Sequence, residues 1–149
     1  VSVAHDRKTA FARAEQMKAY FTTAARLDAQ FRNPAGFTSV KDNVRILKAG
    51  PNAIRPRLRD GSPLPSDPTI EQYIDAGLMF VGTPDDVFGQ ISRFYADVGG
   101  FGNLLMMGQA GTLGHEETVE NLTLFSKEVM PRLSELSVAA PDIRYEAFA

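Results

Sequence analysis

An α/β fold, with three parallel strands covered by helices, is predicted from three observations. Short apolar runs stand at Val1–Ala4, Leu78–Val81 and Asn103–Met107, each of a length that suits a buried strand. A helical pattern follows each run, with apolar residues three and four apart. Glycine, proline and capping residues mark the junctions. Strands that alternate with helices in this way build parallel sheets through right-handed crossovers.

Taken in order, Val1–Ala4 is the first strand. Asp6 caps the helix that follows, because a carboxylate accepts bonds from the free N–H groups of a first turn. That helix is expected from Arg7 to Leu27, with Phe11, Ala14, Met17, Phe21, Ala24 and Ala25 inward. Arg7, Lys8, Arg13, Glu15, Lys18 and Arg26 take its other faces. Residues 31–67 read as an irregular insertion, rich in turn chemistry at Asn33–Gly36, Ala49–Asn52 and Asp60–Pro65. A short helix fits between Val40 and Lys48, with Val44 and Leu47 inward. The insertion is locally basic, which suits either a solvated excursion or a lid with an anion-binding surface.

Thr69–Ala76 reads as a short helix closed by Gly77. Leu78–Val81 is the second strand. Thr83-Pro84-Asp85-Asp86 then starts a helix: threonine caps, proline suits the first position, and the acids face the positive helix end. Val87, Ile91, Phe94, Tyr95 and Val98 form its apolar stripe, and Gly99-Gly100 ends it. Asn103–Met107 is the third strand, so Phe80 and Leu105 are expected to be buried on both faces of the sheet. The last helix is expected from Glu116 to Leu136, burying Val119, Leu122, Phe125, Val129 and Leu133, with a kink or early stop at Pro131. Asp142–Ala149 is a tail.

The 149 residues fit one domain. A net charge of −2 predicts no nucleic-acid or membrane-surface partner. Cysteine is absent, which excludes disulfides, thiolate metal sites and thiol catalysis and suits a cytoplasmic protein. No apolar run is long enough to span a bilayer, and the N-terminus carries no signal-peptide pattern. The opening Val1-Ser2-Val3-Ala4 lacks Met and reads as a strand entered halfway, so truncation or processing upstream is expected.

In a parallel α/β sheet the loops after the strands carry function. Here those loops are Ala4–Asp6, Gly82–Pro84 and Met107–His115, and they hold both histidines of the chain, His5 and His115. Each histidine is read either as a site residue or as a packing residue. Gly108–Gly114 has three glycines in seven residues. It is either a mobile loop over a flat ring or a loop that needs sharp turns. Its spacing is neither GxGxxG nor a phosphate-binding P-loop. The paired acids Asp85-Asp86 and Glu116-Glu117 are explained by helix dipoles. No metal-ligand spacing and no nucleophile elbow is present.

Four phrases in order, Val81-Gly82-Thr83-Pro84-Asp85-Asp86-Val87, Gly99-Gly100-Phe101-Gly102, Leu105-Met106-Met107-Gly108 and Leu124–Pro131, resemble the C-terminal part of luciferase-like, flavin-dependent monooxygenases. The resemblance runs from about Leu78 to Leu133. It implies that residues 1–149 are the C-terminal portion of such a domain, a partial (β/α)8 TIM barrel with Asn103–Met107 as the last strand. It implies reduced FMN or a related flavin as cofactor, with a separate reductase as one source. The reaction implied is oxidation by dioxygen of a small apolar organic substrate such as a terpene, an alkanal or a cyclic ketone. Gly108, Gln109 and His115 carry over as rim residues near flavin or substrate; no catalytic residue and no metal carries over. Family members are more than twice as long, and their N-terminal half supplies much of the flavin contact. The chain alone is therefore expected to be inactive and to need that half or an oligomeric partner. The alternative is a non-catalytic half-barrel that associates with itself or with another chain.

Overall fold

The computed structural model describes residues 1–24, 41, 44, 48 and 56–136. Most of the helix expected between Val40 and Lys48, the first part of the insertion and the C-terminal tail lie outside the described residues.

Helix α1 (Arg7–Ala24) starts as the sequence predicts. The Asp6 carboxylate accepts the Thr9 N–H at 2.9 Å and the Thr9 hydroxyl at 2.8 Å. Those bonds hold Asp6 below the usual carboxylate range. Ala10, Ala14 and Met17 are buried, and Phe11 and Phe21 pack beside them. Arg13, expected on an outer face, is instead only 6% exposed.

The chain's two strands among the described residues are β1 (Ser2–Val3) and β2 (Val81–Gly82). They pair in parallel, Ser2 opposite Val81 and Val3 opposite Gly82. Before β2 comes α2 (Ile70–Asp75), where the Thr69 hydroxyl and the Gln72 side chain each bond the other residue's backbone. Next is α3 (Pro84–Asp97), capped by Thr83 with Pro84 in its first turn. Successive residues of each strand face opposite ways. Ala4, Met79 and Val81 thus join one apolar cluster with α1 and α2, while Val3 and Phe80 join a second with Val87 and Ile91 of α3.

The expected partial (β/α)8 barrel, with three parallel strands and covering helices, is incorrect. The molecule is a small α-rich fold with two short parallel strands. The reason lies at the sheet edges. On the outer edge of β2, Gln90 of α3 accepts the Val81 N–H and donates to the Val81 carbonyl, both at 2.8 Å. On the outer edge of β1, Asn121 accepts the Val3 N–H at 2.6 Å and donates to the Val1 carbonyl at 3.0 Å. Each primary amide presents the donor and acceptor of a neighbouring peptide. A third strand would need the same backbone groups.

Asn103–Met107 accordingly forms no ladder. Its side chains still alternate as in an extended chain: Leu104 and Met106 pack on the core, while Leu105 and Met107 are exposed. Leu105 is fully solvent-accessible, contrary to the expectation of burial.

Past this segment come α4 (His115–Leu124), a π turn over Phe125–Val129, and the four-residue α5 (Met130–Leu133). In the π turn the Met130 N–H bonds the Phe125 carbonyl, five residues back. Pro131 accounts for this. It has no N–H, and its ring crowds the carbonyl four residues earlier, so the preceding turn widens. The buried face also differs from the expected stripe. Val119 and Leu122 are half exposed, whereas Asn121, Leu124, Phe125 and Val129 are buried.

Candidate functional site

Two hollows lie near the sheet and its loops. The first is a cavity of about 290 Å³. Met17 and Phe21 of α1, Met79 and Phe80 before β2, and Met106 and Met107 form much of its wall. Four of the chain's five methionines line it, the exception being Met130. Among the described residues no Asp, Glu, Lys, Arg or His side chain does so. Thioether and aromatic walls suit a small apolar or flat aromatic guest, because methionine adapts its shape and contacts rings favourably.

The second is a more open groove of about 480 Å³, and it brings the two histidines together. His5 follows β1 and His115 opens α4. Glu116, Glu120 and Glu128 line the same groove with Lys127. Among the described residues its Asp, Glu, Lys and Arg side chains are three carboxylates and one ammonium.

The loops after β1 and β2 are tied directly. Arg7 makes two bonds to the Asp86 carboxylate, at 2.8 and 2.6 Å. Asp86 also accepts the Thr83 N–H at 3.1 Å and the Thr83 hydroxyl at 2.9 Å. The Arg7 bonds, with help from Thr83, hold Asp86 well below the usual carboxylate range.

The sequence-predicted site residues separate. Gly108 is buried, its carbonyl accepts the Asn121 amide at 2.7 Å, and a Cβ there would overlap Leu122 Cδ2. Close packing of the loop on α4 therefore explains this glycine. Gln109 is exposed and makes no hydrogen bond among the described residues. His115 lies on the groove rather than the cavity. Between them, Ala110 faces the apolar cavity, so the loop runs from one hollow to the other. Gly111 has φ +61°, and a Cβ there would run into the Gln16 carbonyl, so the loop is seated directly on α1.

Sequence reasoning missed Asn121, Gln90 and Arg13. Arg13 reaches α4, bonding Glu120 at 2.5 Å and approaching Glu117 at 3.7 Å. Its Nε and Nη1 are buried without a hydrogen-bond partner among the described residues. A signal for its burial exists in the sequence: Ala10, Arg13, Ala14 and Met17 stand at the i, i+3, i+4, i+7 spacing of one helix face.

A phosphorylated flavin does not fit the described residues as a whole. The cavity offers apolar contact to the flat faces of its ring, but among the described residues the wall has no cationic side chain for the phosphate. The first turns of α3 and α4 carry their own acids, Asp85 with Asp86 and Glu116 with Glu117. Those carboxylates occupy the anion-favouring helix ends. Among the described residues no group of three or more His, Cys, Asp or Glu side chains is placed to hold a metal. No described helix is long and apolar enough to cross a membrane. Compared with protein-family models, with curated proteins and with solved structures, the chain matches none.

Proposed function

We propose that this chain contributes the apolar binding surface of a flavin-dependent monooxygenase that oxidises a small apolar organic molecule with dioxygen. The observation that carries the reading is the methionine- and phenylalanine-walled cavity of about 290 Å³. Its chemistry agrees with the four sequence phrases that resemble luciferase-like monooxygenases. Oxygen activation in such enzymes is the flavin's chemistry, and the protein binds, orients and excludes water. Here Met79, Phe80 and Met106 are the apolar contacts, and Leu105 and Met107 stand at the exposed rim.

Methionine methyl NMR tests this directly, because Met130 is a built-in control outside the cavity. A monoterpene ketone and lumiflavin are each expected to shift the methyl signals of Met17, Met79, Met106 and Met107 and to leave Met130 in place. Absence of any shift with either compound, at the solubility limit, would sink the proposal.

A second reading is favoured by one observation. Residues 103–106 make no backbone hydrogen bond among the described residues, and Leu105 between them is fully exposed. An unpaired extended segment beside an apolar rim is a docking edge for another chain. On this reading the chain is a non-catalytic module that completes itself by association. Light scattering across a hundredfold range of concentration separates the two, since only association changes the mass.

A further inference from the structure

We infer that the Glu117 carboxylate is a two-position latch at the start of α4, closed on the Gly114 N–H and poised to turn to the buried guanidinium of Arg13. Arg13 carries its charge into the space between α1 and α4, where it is 6% exposed. Its Nη2 bonds Glu120, but Nε and Nη1 are buried with no hydrogen-bond partner among the described residues. A buried N–H without an acceptor costs free energy, and a carboxylate is its strongest partner. Glu117 stands within reach. Its Oε1 lies 3.7 Å from Arg13 Nε, too far for a hydrogen bond, while its Oε2 accepts the Gly114 N–H at 3.2 Å. A rotation of this one side chain exchanges the second bond for the first.

The cap that Glu117 would leave is weaker than its two counterparts. The Thr69 and Thr83 hydroxyls accept bonds from the Gln72 and Asp86 N–H groups, so those caps close in both directions. Glycine has no side chain, and the Gly114 cap closes in one direction. Turning Glu117 to Arg13 frees the Gly114 N–H to water, while the Gly114 carbonyl keeps its bonds from the Thr118 N–H and hydroxyl. Release is thus confined to the Leu113–Gly114 peptide. That peptide is the last link of the loop that runs from Ala110 at the cavity to His115 at the groove. Glu120 sets the balance, because it supplies the guanidinium's one hydrogen bond among the described residues from a half-exposed side chain. Loss of that bond leaves the guanidinium to Glu117.

Solvent-exchange NMR of the full chain reads both positions of the latch. In Glu120→Gln, a change at a half-exposed side chain, the Gly114 amide is expected to exchange about fivefold faster or more, because the bond that protects it is lost. The Arg13 Nε–H signal is expected to move downfield in the same variant, as that N–H gains an acceptor. The Thr69 and Thr83 amides, held by Gln72 and Asp86, are internal controls and keep their parent rates. Glu116→Gln removes an equal charge from the first turn of α4 at a residue with no ion pair to Arg13, and is expected to leave both signals unchanged. An unmoved Gly114 amide in Glu120→Gln, or an equal change in Glu116→Gln, would overturn the inference. A faster Gly114 amide without the Arg13 shift would overturn it too, since that marks fraying of the helix start. When Glu120→Gln is combined with Arg13→Met nothing draws Glu117, and the Gly114 rate is expected to return to that of the parent chain. A rate that stays raised would count against the latch, and if the double variant does not fold the comparison of Glu120→Gln with Glu116→Gln decides alone.

Discussion

Asn121 decides where the sheet stops. It is wholly buried, and its amide holds three backbone groups: the Val3 N–H and the carbonyls of Val1 and Gly108. Replacement by leucine keeps the volume and strands all three. Since an orphaned buried polar group costs about 1–3 kcal/mol, Asn121→Leu is expected to lose about 3 kcal/mol or more of stability in urea unfolding. A loss below about 1 kcal/mol would mean that water replaces the amide. Asp86 makes a different prediction. Its carboxyl titrates well below the ordinary value because of Arg7 and Thr83. An unfolded aspartate titrates at about 3.9. Its contribution is thus complete above about pH 5 and is lost as pH falls through the unfolded value toward the lower folded one. Asp86→Asn should flatten the acid limb of the stability curve between about pH 5 and pH 2, and urea midpoints against pH measure it. An acid limb identical to that of the parent chain would contradict the assigned role.

Capping chemistry is readable from sequence because it is local. Thr69, Thr83 and Asp6 each bond a group three residues away, and α2, α3 and α1 begin where those residues predict. The parallel pairing of the first two apolar runs is readable too, since burial on both faces leaves a continuous apolar signature. Edge closure is not readable in that way. Asn121 lies 118 residues from Val3, and nothing in the chain between them announces the bond. The run at Asn103–Met107 has the composition of a strand, but among the described residues its one backbone hydrogen bond is the Met107 carbonyl accepting from the Val1 amino group at 2.6 Å. This contrast gives a paired prediction. Phe80 lies in the second core cluster and its truncation to alanine should cost about 3–5 kcal/mol. Leu105→Ala, at a fully exposed position, should stay within about 0.5 kcal/mol. Chemical denaturation of the two variants side by side checks both numbers.

Taken together, α1 and α2 cover one side of a two-strand sheet and α3 with the end of α4 covers the other. Ion pairs then fasten the layers: Arg13 of α1 to Glu120 of α4, Arg7 to Asp86, and Arg132 of α5 to Asp85 of α3. Arg132 also lies over the Phe88 ring, 3.9 Å from its centre. What the layers leave uncovered is an apolar rim of Leu78, Leu105, Met107 and Tyr20 around the cavity. An exposed apolar patch of that kind offers a contact surface to apolar probes. The parent chain is therefore expected to raise the fluorescence of a hydrophobic dye at neutral pH, and Leu105→Asp should reduce that signal by at least half. An undiminished signal would place the dye elsewhere. The candidate site is only partly legible in the sequence. His5 and His115 do converge on one groove, as their place in the loops predicts. Four methionines scattered over residues 17 to 107 meet in one cavity only because the chain folds back on itself, and spacing in the sequence carries no trace of that.

The π turn at Phe125–Val129 bears on how this chain tolerates insertion and deletion. A wide turn holds one residue more than an α-turn while leaving the helix on either side in phase. Removing one residue from Ser126–Glu128 would return the segment to ordinary α-helical winding, with Leu124 and Phe125 before it and Val129 after it still facing the core. Pro131 forbids that in the parent chain, because its ring needs the displaced carbonyls. A single deletion should accordingly unfold the protein when made alone and be accepted when combined with Pro131→Ala, as thermal melts of the two variants would reveal. The surplus residue is thus removable only together with the proline.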